Sequence, residues 1–307
     1  MRIKFWGVRG SLPVPGPDTI EVGGNTSCIE IRNSLDELLI IDAGTGIKKL
    51  GEQLALEYHS DKLKECHLLL SHTHWDHIQG LPFFLPFYFK DFHVTIYGPV
   101  RRNENLKNIL SGQMNYPYYP VNISDLKAKI DFVDLDEQHF QIGSFSILPK
   151  VLNHPVKTYG YRIESEGKIL TTLFDHEVYR CLIKDVPTLA EELKIHPGKL
   201  EEAESMVDSL NQAVISFIKK SDVVIYDAHF SRQEYERGRH GWGHGPTEAV
   251  LEKLKSGDVG KLLLFHHAPE KTDADLIKMA QELENFRKSI HLDLNLVLAK
   301  ENCVITI

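Results

Sequence analysis

The segment Leu68-Leu-Leu-Ser71-His72-Thr-His74-Trp-Asp76-His77-Ile-Gln-Gly80 constrains this chain more than any other. An apolar run ends at Ser71, so His72 and His74, two residues apart after a strand, point to the same side. Asp76 and His77 are adjacent and cannot share that direction in an extended chain. Two divergent donor pairs close together suit two metal ions better than one. Neutral imidazoles and a carboxylate are the donors that a borderline cation such as zinc takes. The competing reading is a surface loop that is histidine-rich by chance. The fold must therefore end a strand at this loop and bring further donors to it.

Candidates for those donors are plentiful. The chain has 16 histidines in 307 residues, about twice ordinary usage. Most lie beside glycines, prolines or strand-like runs, where loops on a rigid scaffold would hold a site. Strand-like runs recur at 2–8, 27–32, 38–42, 67–71, 93–97, 130–135, 140–148, 158–164, 168–174, 222–226, 262–265, 294–298 and 303–307. Helical periodicity fits 46–58, 101–111, 200–219, 247–255 and 273–287. Strands precede helices in clusters, and the cluster occurs twice, which predicts an α/β protein with two sheets faced by helices. No Ser/Gly linker divides the chain, so residues 1–307 are expected to form one domain, with a helical insert near 177–211.

The net charge of −8 argues against a protein whose main task is gripping a long polyanion, though not against one local phosphate site. The stretch from Asp185 to Asp208 carries seven acids and two Lys/Arg residues. The four cysteines form no CxxC pair, so reduced thiols in the cytoplasm are expected. The N-terminus lacks an apolar signal region, and no window approaches the roughly 20 apolar residues of a membrane span.

The HxHxDH motif, together with Gly7-Val-Arg-Gly10-Ser, Gly23-Gly-Asn25-Thr-Ser-Cys28 and Asp42-Ala-Gly-Thr-Gly46, resembles the metallo-β-lactamase superfamily over nearly the whole chain. The likeness is nearest its phosphodiesterase branch, which includes transfer-RNA 3′-end endonucleases and cyclic phosphodiesterases of phosphonate and nucleotide substrates. It implies a four-layer αβ/βα sandwich, with two facing mixed sheets flanked by helices. It also implies two divalent transition metal ions, zinc first, with manganese or iron as alternatives. His72, His74 and His154 would hold one ion, Asp76, His77 and His266 the other, and Asp175 and a hydroxide would bridge them. Asp42 would support the histidine loop without binding metal. His154 precedes a strand, Asp175 ends one and His266 follows one, in the order the resemblance requires. His176 departs from the small hydroxyl residue common beside the bridging aspartate. His267 should point away from His266.

Two further segments resemble the phosphodiesterase branch: Asp222-Val-Val-Ile-Tyr-Asp227-Ala-His229-Phe, and Gly241-Trp-Gly-His244-Gly-Pro-Thr247-Glu. They imply that His244 sits over the phosphate with Asp227 behind it, so His244, Asp227 and Asp76 are the expected catalytic residues. An acidic partner would keep His244 protonated, ready to stabilise charge or protonate a leaving oxygen. Gly245 and Pro246 replace the usual serine context, and His229 and His240 are as apt to be bystanders as participants. The expected function is a dinuclear phosphodiesterase of small substrates, cyclic nucleotides foremost, by attack of the bridging hydroxide. The alternatives are a transfer-RNA 3′ endonuclease, disfavoured by the acidic stretch, and a glyoxalase-type thiolester hydrolase, which leaves Asp227 and His244 unexplained. A non-enzymatic sensor is disfavoured by the full set of seven donors. The expected partners are a small phosphodiester and a second copy of the chain as a homodimer, with no long nucleic acid and no membrane. The aromatic loop Met114–Pro120 could stack on a base, pack a dimer or pack on its own core.

Overall fold

A computed structural model describes residues 1–100, 104–181, 197–255 and 258–307. Among these, the strands form two mixed sheets of seven. The first contains β1 (Arg2–Gly7), β2 (Cys28–Arg32), β3 (Leu38–Ile41), β4 (Glu65–Leu69), β5 (His93–Pro99), β6 (Lys129–Leu135) and β14 (Val304–Thr306), in the order β14-β1-β2-β3-β4-β5-β6. The second contains β7 (Phe140–Ile142), β8 (Phe145–Leu152), β9 (Thr158–Ser165), β10 (Lys168–Leu173), β11 (Val223–Asp227), β12 (Lys261–Phe265) and β13 (Asn295–Leu298), in the order β13-β12-β11-β10-β9-β8-β7.

Each sheet has an antiparallel half and a parallel half, running β3-β4-β5-β6 in the first and β10-β11-β12-β13 in the second. Parallel neighbours need crossovers, and the helices supply them. These are α1 (Ile47–His59), α2 (Trp75–Ile78), α3 (Leu106–Gln113), α4 (Pro197–Ile218), α5 (Arg232–Glu236), α6 (Thr247–Leu254) and α7 (Asp273–Ser289). Helix α7 starts in a capping box: Thr272 Oγ1 accepts from Asp275 N at 3.2 Å, and Asp275 Oδ2 accepts from Thr272 N at 3.0 Å.

The strand period of two sorts side chains between layers. In β3, Leu39 and Ile41 enter the core between the sheets, while Leu38 and Ile40 face the helix layer with Leu50 and Leu54 of α1. Strands such as β3 are apolar at every position because both faces are covered. Ile163, Leu170, Ile225 and Leu263 fill the same core from the second sheet. The two sheets are also tied beside the histidine loop. Tyr161 Oη, from β9, donates to Leu70 O at 2.6 Å, and Tyr159 N donates to Ser71 O at 2.9 Å.

Two local expectations change. The run 140–148 is a hairpin, because Gly143 turns the chain at φ 52° between β7 and β8. The expected helix 101–111 begins at Leu106, where Asn105 caps it by accepting from Asn108 N at 2.9 Å, and residues 101–103 lie outside the described residues. Of the expected insert 177–211, residues 182–196 lie outside the described residues, and α4 runs on past it to pack Phe217 beside Gly160 on the outer face of the second sheet.

The carboxyl ends of β3, β4, β10, β11 and β12 converge. They deliver Asp42, the loop Ser71–His77, Asp175, Asp227 and His266, all buried except Thr73, His74 and Trp75. Ligand sites form at such ends because loops there escape the ladder while the strands hold them rigidly.

Candidate metal centre

Three residues at this edge leave their strands in the left-handed region: Asp42 (φ 61°), Asp175 (φ 46°) and His266 (φ 56°). Non-glycine residues take that conformation at a cost, and such strain gathers where side-chain placement matters. The expected extended path through the histidine loop is not what forms. The chain turns into α2 at Trp75, so Asp76 and His77 can both reach inward from one helical turn.

The seven expected donors come together. His72, His74, His154 and Asp175 form one group and Asp76, His77 and His266 another, the donor atoms within each lying within 4.8 Å of one another. Asp175 divides its oxygens between them. Its Oδ2 lies 3.5 Å from His72 Nε2 and 3.7 Å from His154 Nε2; its Oδ1 lies 3.4 Å from His77 Nε2 and 3.2 Å from His266 Nε2. Asp76 Oδ2 is 3.0 Å from His266 Nε2 and 3.2 Å from His77 Nε2. One carboxylate serving two donor groups is the arrangement that two cations require.

The chemistry of this donor set fits metal ions. Among the described residues, buried His72 Nε2 and Asp175 Oδ1 have no hydrogen-bond partner, and such orphans are uncommon unless an ion takes them up. Burial holds His72 well below its usual pKa and brings His154 to about 4, so both imidazoles present lone pairs. Burial also opposes a proton on His77 and His266, yet the surrounding carboxylates raise both, His266 to about 10. A buried cluster that demands positive charge this strongly would exchange protons for cations.

Asp42 organises the loop, as expected of a residue that supports the donors. Its Oδ2 accepts from His77 Nδ1 at 2.7 Å, leaving Nε2 for the site, and its Oδ1 accepts from Ser71 N at 2.7 Å. Ser11 N donates to Asp76 Oδ2 at 2.7 Å. Gly10 is required by proximity, since a Cβ there would lie 2.4 Å from the His266 ring.

Beside the second group, His244 Nδ1 donates to Asp227 Oδ2 at 2.5 Å. Burial lowers the affinity of His244 for a proton, but the charge and hydrogen bond of Asp227 outweigh it and raise the pKa. The His244 ring is 5.2 Å from His266 and 5.5 Å from His154. His229, undecided in the sequence, is a neighbour: its ring stacks on His244 at 4.5 Å and 18°. His240 is exposed against Tyr235. His267 turns away, Nε2 donating to Ala299 O at 3.0 Å, and His176 Nδ1 accepts from Asn153 N at 3.2 Å. Helix α6 has no side-chain cap; its Thr247 N donates instead to Phe230 O at 3.2 Å.

Sequence reasoning missed Glu177, a buried carboxylate that accepts from Gly241 N and Gly243 N. No spacing signals it, because its partners lie 64 and 66 residues away. A cleft of about 290 Å³ runs beside His154 and Glu177, lined also by Tyr179 and Arg180. Trp75 (77% exposed) and Trp242 (52% exposed) are the chain neighbours of His74 and Gly243. In the aromatic loop, Tyr119 Oη donates to Pro82 O at 3.0 Å, while Tyr116 and Tyr118 are exposed. No helix of the described residues is long and apolar enough to cross a membrane.

The model of the Beta-lactamase superfamily domain matches residues 38–173. A Ribonuclease Z from Staphylococcus haemolyticus is 24% identical over 310 residues, spanning 92% of this chain and 94% of the relative. The metallo-β-lactamase fold protein YhfI from Bacillus subtilis superimposes with a TM-score of 0.62 at 19% identity, covering 99% of this chain and 98% of that one. The short form of human tRNase Z does so with a TM-score of 0.59 at 16% identity, covering 100% and 99%. The fold is thus the four-layer sandwich that the motifs implied.

The relatives correct one expectation. A long nucleic acid was set aside as a partner, yet proteins named Ribonuclease Z align over 92% of the chain. Net charge does not exclude such a partner here, because −8 is a sum over the whole chain. Phosphate capture depends on cations placed locally, and the buried donor cluster fits such cations. Residues 182–196, which carry part of the acidic stretch, lie outside the described residues.

Proposed function

We propose that this chain of the metallo-β-lactamase fold is a metal-dependent phosphodiesterase acting on RNA, with the 3′ end of precursor transfer RNA as its substrate class. The observation that carries the phosphodiester reading is the 2.5 Å pair of His244 and Asp227 set against the rings of His154 and His266. A thiolester hydrolase would have no use for it. The RNA reading is supported by relatives of that name along nearly the whole chain. It is supported too by the exposed Trp75 and Trp242, chain neighbours of His74 and Gly243, which offer aromatic surface on which bases can stack. Arg239 stacks over Trp242 with its guanidinium carbon 4.4 Å from the ring centre and adds a cation to that rim.

His72, His74, His154 and Asp175 would hold one ion and Asp76, His77, His266 and Asp175 the other. Bound there, two divalent cations supply Lewis-acid charge to the phosphate and acidify a water. The chain's own residues do the rest. Asp42 and Ser11 fix the rotamers of His77 and Asp76. Asp227 accepts the Nδ1–H hydrogen bond of His244 and favours its protonated form, so Nε2–H is left to donate to a phosphate oxygen or to the leaving oxygen.

The test is one panel with metal-loaded protein: precursor transfer RNA with a 3′ trailer, cyclic mononucleotides, bis-p-nitrophenyl phosphate and a thiolester. Cleavage of the RNA and of the aryl diester is expected. Hydrolysis of cyclic nucleotides with intact RNA would return the reading to small phosphodiesters. Turnover of the thiolester alone would overturn it.

A further inference from the structure

We infer that Glu177 is a positioning residue for His244: its buried carboxylate clamps the loop that presents the imidazole. The inference deepens the phosphodiesterase reading and rests on it only for the size of the activity loss. Glu177 is 6% exposed and lies two residues beyond Asp175. Tyr235 Oη donates to its Oε1, Gly241 N reaches both oxygens at 3.0 Å, and Gly243 N donates to Oε2 at 2.9 Å. Gly241 and Gly243 have φ of 79° and 86°, a backbone that glycine alone adopts freely, and this aims two alternate amides at one carboxylate.

The loop cannot relax toward the donor cluster. Gly243 O accepts from His154 Nδ1 at 3.2 Å, and a Cβ on Gly243 would lie 2.0 Å from that nitrogen. His244 is therefore located from three directions: Asp227 at the end of β11, His154 after β8, and Glu177 after β10. A carboxylate is needed because all three partners of Glu177 donate. Glutamine would turn an NH₂ toward an N–H or O–H, leaving a buried donor unpaired with almost no change in volume.

The experiment uses the full chain loaded with zinc, which is diamagnetic. The Nδ1 proton that His244 shares with Asp227 should give a resonance far downfield of the amides, assigned by its loss in His244→Ala. In Glu177→Gln that resonance should shift or broaden, and kcat on bis-p-nitrophenyl phosphate should fall about tenfold to a hundredfold, the range expected from a small misplacement. In the double variant with His244→Ala the Glu177 substitution should cost nothing more, since its effect runs through the absent ring. An unmoved resonance, or losses that multiply in the double variant, would overturn the inference. If the resonance moves but His244→Ala is fully active, the positioning stands and the phosphodiesterase reading falls. Should Glu177→Gln not fold, Tyr235→Phe removes one donor only. It must move the same resonance, and an unchanged signal there would also sink the idea.

Discussion

The loops Ser71–His77 and Gly241–His244 border the same cluster but are built in different ways. The first packs four donors into six residues and takes its support from Asp42, at the end of the neighbouring strand of the same sheet. The second brings one imidazole, His244, to the cluster, held by Asp227 and Glu177 from two other strand ends and wedged against His154. The first is a motif whose support is close at hand. The second exists only where three distant segments meet. Damage to the first should therefore read out as lost metal, and damage to the second as lost turnover with metal in place.

The largest effect should come from the residue that serves both donor groups. Asp175→Ala should abolish hydrolysis of bis-p-nitrophenyl phosphate and lower the metal content below two ions per chain, while circular dichroism shows an intact fold. Near-normal turnover would mean that Asp175 does not bridge. Next, His244→Ala should lower kcat by roughly a hundredfold to ten-thousandfold, the usual worth of a positioned acid, with metal content unchanged. The loss should be smaller for a p-nitrophenolate leaving group than for an RNA alkoxide, because the former needs little protonation. Equal losses would assign His244 to the non-bridging oxygens instead.

The complementary change on the other loop is Asp42→Asn, which should weaken metal affinity by roughly tenfold to a hundredfold. Competition with a chromogenic chelator measures it, and at saturating metal kcat should largely recover. A kcat defect that excess metal does not repair would erase the distinction between the loops.

The smallest effect concerns His267, which the cluster does not use. Burial brings it to about 3 from an ordinary 6.5. The folded chain therefore binds fewer protons there than the unfolded chain between those values. Its contribution is fully present above pH 6.5 and is lost as pH falls toward 3. His267→Gln should flatten the rise of stability with pH between 4 and 6.5 by up to about 1.4 kcal/mol per unit. Urea unfolding of chelator-treated protein at several pH values checks it, and an unchanged slope would show that His267 is already charged.

Much of this was readable from residue order. The strand runs, the helices after β3 and β12, and the donors at strand ends all appear as local periodicity or as polar residues stopping apolar runs. Leu38–Ile41 before Asp42 and Leu262–Phe265 before His266 are examples. The α2 turn was missed because four residues are too few to show a helical period, and the hairpin at Gly143 because a single glycine inside an apolar run reads as a weak strand position.

Residue order thus carried the alternation of the sandwich, since period belongs to contiguous residues and does not depend on packing, and the resemblance of its motifs pointed to the seven side chains that the fold gathers. It could not show the distances at which Asp175, expected to bridge, meets the two groups, or that His229 and not His240 stacks on His244. Nor could it show that Glu177 closes the His244 loop. Those contacts join residues from 15 to 103 positions apart. Their approach is set by how two seven-stranded sheets pack across a shared core, and no local pattern in the chain encodes that distance.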